Sequence, residues 1–162
     1  MRFYIFYQES FMNKIHTVFS TGKTHTTSTE PGGILRNPEA KLNISMGESG
    51  IQGAHALALN AVDAHPSAEK MFAGAWSGCF IAITGVVAKE KKVVLPPETA
   101  VEIEVDMGIT GDEFFLQARI QLIVPGVDQD VADAIAHAAH QMCPYSKSTR
   151  GNIDVVVKAV PA

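Results

Sequence analysis

The run MFAGAWSGCFIAITGVVA, Met71 to Ala88, carries no charge over 18 residues, and its reading decides the fold. That length meets the lower limit of about 18 residues for a membrane span. The composition argues otherwise. Gly74, Gly78 and Gly85 interrupt the run, Ala, Ser and Thr fill much of the rest, and Lys89-Glu90-Lys91-Lys92 ends it sharply. A helix apolar on every side is also what an enclosed core helix looks like. The run therefore predicts a buried helix in a soluble protein. Ser67 suits its N-cap, where the hydroxyl accepts from early free backbone amides, and Glu69 suits the positive end of the dipole. The helix should continue to about Lys91.

Downstream, Pro96-Pro97 breaks the chain. Val101, Ile103, Val105 and Met107 then alternate with Glu102, Glu104 and Asp106, as in a half-buried strand. Past Thr110-Gly111-Asp112, Phe114, Leu116, Ala118, Ile120, Leu122 and Val124 alternate with Gln117, Arg119 and Gln121. Two such strands around a short turn predict an antiparallel hairpin. Asp128 is the expected N-cap of a second helix, with Val131, Ala134, Ile135, Ala138, Ala139 and Met142 at helical spacing. Cys143-Pro144 closes it, because a residue before proline avoids helical geometry. Ile153, Val155 and Val157 predict a last strand.

Upstream, Ile15 to Thr29 is rich in β-branched residues around Thr21-Gly22-Lys23, which predicts a hairpin or two short strands. Glu30-Pro31-Gly32-Gly33 reads as a turn. Leu42, Ile44 and Met46 alternate as a third strand, and Gly47 to Pro66 is a long connection with a helical turn in Ala54 to Ala61. The class is α+β, with antiparallel strands around a buried central helix. Amphipathic strands of one chain fall short of enclosing that helix, so a homodimer is expected.

The whole chain has 162 residues, which fits one domain. With 13 Lys+Arg against 17 Asp+Glu its net charge is −4, giving no basic footprint for nucleic acid. Apolar residues at 46% and charged residues at 19% exclude a disordered chain. Phe3 to Tyr7 is too short for a signal-peptide core. Residues 1–11 read as an extension, 12–162 as the single domain, and the expected location is cytoplasmic.

The two cysteines differ in setting. Cys79 lies in the apolar helix beside Trp76 and Phe80, where burial raises a thiol's pKa and favours an inert core role unless a cation is brought to it. Cys143 ends the second helix near the negative end of its dipole, which suits a resolving cysteine better than a first nucleophile. Glu69 lies about 80° around the helix axis from Cys79 and nearly three turns away, too far for contact but able to anchor a bridging cation. His137, His140 and Cys143 give a weak zinc pattern with no evident fourth ligand. No metal or other cofactor is expected, and no phosphate-binding loop or nucleophile elbow is present.

The stretch Met142-Cys143-Pro144-Tyr145-Ser146-Lys147-Ser148-Thr149-Arg150-Gly151-Asn152-Ile153-Asp154-Val155 resembles the C-terminal signature of the organic hydroperoxide resistance branch of the OsmC/Ohr family. Glu69 to Phe80 resembles that family's motif around its peroxidatic cysteine, and Val124-Pro125-Gly126-Val127-Asp128 resembles its turn before the last helix. The resemblance implies an intertwined, domain-swapped α+β homodimer with its active sites at the interface. It implies that Cys79 attacks an organic hydroperoxide, that Cys143 resolves, and that a dithiol, with a lipoylated protein the usual donor, restores the thiols. Glu69 matches the glutamate that orients a catalytic arginine.

This chain departs from the family in places. Ser67-Ala68 stands where the family has Asn-Pro, and Thr21-Gly22-Lys23-Thr24-His25 replaces the loop that carries the arginine. Arg36 is the expected substitute, ahead of Lys23 and Lys41, because a guanidinium can bridge a carboxylate and a sulfur with a rigid fork. Trp76, Phe80 and Met71 would form an apolar pocket for lipid-like peroxides, with core packing as their other role. The expected function is a thiol peroxidase with no nucleic-acid or membrane partner. The alternative is a non-enzymatic redox-sensing or small-molecule-binding module of the same fold.

Overall fold

The computed structural model describes residues 14–27, 45–47, 58–60 and 67–161. In chain order the elements are β1 (Thr17–Thr27), β2 (Ser45–Gly47), β3 (Ala58–Asn60), α1 (Ala68–Glu90), β4 (Ala100–Thr110), β5 (Glu113–Ile123), α2 (Gln129–Met142), α3 (Pro144–Thr149) and β6 (Asp154–Val160). A four-stranded mixed sheet runs β1-β4-β5-β6, and β2 pairs with β3 apart from it.

The uncharged run forms α1, capped by Ser67, whose hydroxyl accepts from the Lys70 amide at 3.2 Å. By length and composition α1 could cross a membrane. In this fold it is the central helix, packed on β1, β4, α2 and α3. Trp76, Phe80, Thr84 and Val87 are fully buried in it. Thr84 is tolerated there because its hydroxyl donates to the Phe80 carbonyl at 2.9 Å. Among the described residues, Ala75, Gly78 and Val86 of α1 are exposed.

The predicted hairpin is present. β4 and β5 pair antiparallel from Ala100↔Ile123 to Thr110↔Glu113. Gly111 makes the turn at φ +60°, a conformation that glycine adopts without steric cost. Val101, Ile103 and Val105 join Ala118, Ile120 and Leu122 in one core with α1 and with Ile135 and Ala139 of α2. β6 adds parallel to β5, from Gln117↔Asp154 to Ile123↔Val160. The sheet is therefore mixed rather than antiparallel throughout as expected, because alternation within β6 marks a strand but not its partner or direction.

The opposite face of the sheet carries charge. Arg119 grips the buried Asp106 carboxylate with two hydrogen bonds of 2.6 and 2.9 Å. Thr21 and Gln117 donate to the same group at 2.6 and 2.7 Å. Burial by itself would raise the Asp106 pKa; the hydrogen bonds from Arg119, Thr21 and Gln117 outweigh it and hold the pKa down at about 2. The folded value lies below the unfolded one, so this stabilisation is complete at neutral pH and is lost as pH falls from about 4 through 2. Because Arg119 is 43% exposed, solvent screening limits the contribution to about 1–2 kcal/mol. Urea unfolding between about pH 5 and pH 2 should show a steeper loss for wild type than for Asp106→Asn. Parallel curves would remove Asp106 from the acid response.

Other expectations change as well. Ile15 to Thr29 is not a hairpin: β1 is one strand, antiparallel to β4, with a register shift between Val18 and Ser20. Gly22 is not a turn residue but the point where β1 crosses the first turn of α1. A Cβ there would overlap the backbone of Glu69 and Lys70, lying 2.6 Å from Lys70 Cα. Within Ala54 to Ala61, residues 58–60 form strand β3 rather than helix, because they pair with β2. Finally, α3 follows Cys143 directly, where only a helix end was expected. The extension 1–11, the turn at Glu30–Gly33, Arg36 and Lys41 lie outside the described residues.

Candidate active site

Cys79 lies on α1, roughly three turns from its start. Cys143 ends α2, its amide donating to the Ala139 carbonyl at 2.8 Å, and is at once the residue before α3. Pro144 opens α3 at a position where a missing N–H costs nothing. This joint turns Cys143 onto α1. The two thiols are free and 3.3 Å apart, with Cys143 donating to Cys79. Cys143 is 0% exposed, whereas Cys79 is partly exposed.

Burial first, and then the neighbouring Cys143, push the Cys79 thiol up to about 11; the Tyr145 backbone amide, donating to its sulfur, opposes this. Among the described residues no cation acts on that sulfur. The contrast between the cysteines therefore rests on exposure. Cys143 stands at once at the negative end of the α2 dipole and at the positive end of that of α3, so the two oppose each other there.

Lys23 is not beside Cys79. Its ammonium pairs with Glu102 at 2.9 Å and Glu104 at 3.2 Å on the charged face of the sheet, whereas α1 packs on the other. Glu69 is buried in the first turn of α1. Trp76 and Phe80 are fully buried, and Met71 is half-buried. The indole N–H of Trp76 donates to Ser146 at 3.0 Å.

A cavity of about 540 Å³ opens where α1 begins, between Glu69 and Phe72 on one side and Val105, Met107, Phe115 and Leu116 on the other. Its lining includes none of Trp76, Phe80, Met71 or Cys79. Phe72 connects the two places. It precedes Cys79 by seven residues, which returns it to nearly the same stripe of α1, and its ring meets Trp76 edge-on at 5.7 Å. The sequence reading missed the Tyr145 amide, Ser146 and this lining. Proline after Cys143 carried a signal for α3, since proline favours the first helical position. No group of three metal-binding side chains gathers among the described residues, so His137, His140 and Cys143 form no such cluster.

The model of the family described as OsmC-like protein matches residues 61–158. An organic hydroperoxide resistance protein of Xanthomonas axonopodis pv. citri is 37% identical over 89 residues, covering 55% of this chain and 63% of that protein. The match thus spans somewhat under two thirds of that curated relative. An organic hydroperoxide resistance protein from Elizabethkingia anophelis has a solved structure that is 25% identical, with a TM-score of 0.58 over 91% of this chain and all of that one. A Vibrio cholerae protein named for the same resistance, with captopril bound in one of its active sites, is also 25% identical. Its TM-score is 0.54 over 76% of this chain and 95% of that one.

Proposed function

The chain belongs to the OsmC-like protein family, and from that premise we propose that it is a cysteine-based peroxidase for organic hydroperoxides. The observation that carries this reading is the pair of sulfurs 3.3 Å apart, one reachable from solvent and one buried. The Cys79 thiolate attacks the terminal peroxide oxygen. The O–O bond breaks, the alcohol leaves with a proton, and Cys79 becomes a sulfenic acid. Cys143 then attacks the Cys79 sulfur, water leaves, and a disulfide forms. An external dithiol, in this reading a lipoylated protein, returns both thiols by exchange.

The apolar cavity beside Phe72 supports a substrate with an apolar body over hydrogen peroxide. The exposed small-residue face of α1 supports a homodimer, since a helix this apolar is stable in water only when covered. The reading places the protein in the cytoplasm, where dithiol donors keep thiols reduced. The test is coupled turnover with cumene hydroperoxide and reduced lipoamide. Saturable turnover, faster than with hydrogen peroxide, is expected.

The partial burial of Cys79 beside Cys143, with no cation acting on its sulfur among the described residues, favours a second reading, a slow redox-sensing module that oxidises once and does not cycle. That reading predicts stoichiometric oxidation without turnover. Which one holds depends on a cation, and Arg36 is the proposed one, anchored by Glu69 as it bridges toward the sulfur. Thiolate absorbance should then show the Cys79 pKa rising from wild type to Arg36→Ala. Each unit of rise cuts the thiolate fraction at neutral pH about tenfold, partly offset by the greater nucleophilicity of the more basic thiolate. An unchanged pKa would pass the role to Lys41.

A further inference from the structure

We propose that Ser146 and Trp76 are positioning residues, a clamp between α3 and α1 that holds Cys79 and Cys143 in register for disulfide formation. The proposal rests on the reading of these cysteines as a redox pair. Trp76 precedes Cys79 by three residues on α1, and Ser146 follows Cys143 by three residues on α3. Trp76 and Ser146 are both fully buried and joined by a 3.0 Å hydrogen bond. The sulfur pair and the clamp thus join the same two segments about one helical turn apart.

The behaviour of neighbouring hydroxyls singles out Ser146. Ser148 donates to the Tyr145 carbonyl at 2.7 Å and Thr149 to the Ser146 carbonyl at 3.0 Å, both within α3, as hydroxyls in helices commonly do. Ser146 instead accepts from another helix. A six-residue helix has too few internal bonds to fix itself, so tertiary contacts decide where α3 sits. Its position matters because the Tyr145 amide that reaches Cys79 is its second residue. Closing the disulfide brings the sulfurs from 3.3 Å to about 2.05 Å. A clamp one turn away confines that approach, which raises the effective concentration of one thiol toward the other.

The experiment equilibrates the full chain with glutathione. One protein dithiol and one glutathione disulfide give one Cys79–Cys143 disulfide and two glutathione thiols, so two electrons and two protons pass to glutathione. Acid-quenched mass analysis reads the ratio. Ser146→Ala is expected to lower the effective concentration about tenfold or more, which raises the pair's potential by about 30 mV. Trp76→Phe, which keeps a ring and removes the N–H, should do the same even if Ser146→Ala folds poorly. The double variant should lose no more than the larger single loss, because one bond is removed either way. Ser148→Ala should leave the equilibrium unchanged.

If wild type forms the disulfide and both clamp variants match it, the clamp is overturned while the redox pair stands. Additive losses, or an equal loss in Ser148→Ala, would also overturn it. If wild type forms no such disulfide, the clamp and the redox pair fall together. A wild type that forms it with glutathione but not with a hydroperoxide would sink the peroxidase reading alone.

Discussion

Cys79→Ser should lower hydroperoxide consumption by roughly a thousandfold or more, because it removes the nucleophile on which every later step depends. Cys143→Ser should behave differently. It should react once with organic hydroperoxide, stop, and hold a sulfenic acid on Cys79, read by dimedone labelling and intact mass. The difference follows from access. Cys143 is 0% exposed and lies behind Cys79, so peroxide meets the outer sulfur first. With the inner thiol gone, nothing 3.3 Å away can condense with the sulfenic acid. Oxidation of Cys143 to a sulfenic acid in Cys79→Ser, at the wild-type rate, would reverse the roles.

The second large effect is on stability. Gly22→Val should destabilise the protein by about 3 kcal/mol, near the upper end for overpacking. That corresponds to a fall in melting temperature of about 6–12 °C for a chain of this size. Valine is a good strand residue, so propensity alone predicts the opposite sign. The sign is decided by the overlap of the added Cβ with the backbone of Glu69 and Lys70. Backbone cannot rotate away as a flexible side chain can, so β1 and the start of α1 must separate, taking Glu69 with them. Lys23→Val makes the comparison. It is one residue along on the charged face and creates no such overlap, so its cost should be far smaller. A Gly22→Val protein as stable as wild type would show that the strand does not press on the helix.

Some of the architecture was plain in the residues. The alternation from Val101 to Val124 could only be a half-buried hairpin, and the uncharged run Met71 to Ala88 could only be a buried or membrane helix. Gly22 was harder, because glycine marks turns and close backbone approaches alike, and only the position of α1 distinguishes them. The parallel pairing of β6 depends on where α2 and α3 deliver the chain, which no local pattern in Asp154–Val160 records.

At the site, the motifs around Cys79 and Cys143 identified two residues 64 apart that the fold brings together. Trp76, Phe80 and Met71 lie close to Cys79 in sequence. Helical geometry turns Trp76 and Phe80 into the core, and the cavity is built on Phe72 and the sheet. Lys23 is a candidate cation because its stretch stands where the family carries its arginine, but strand alternation gives it to Glu102 and Glu104 instead.

The central claim is that Cys79 and Cys143 reduce a hydroperoxide together. The most direct test mixes reduced wild-type protein with one equivalent of cumene hydroperoxide and no reductant, then measures the alcohol and the protein mass. The account predicts one alcohol per chain, loss of both free thiols, a mass lower by two hydrogens, and a peptide map joining Cys79 to Cys143. Alcohol formation without that link, or both thiols intact after the peroxide has been offered, would contradict it.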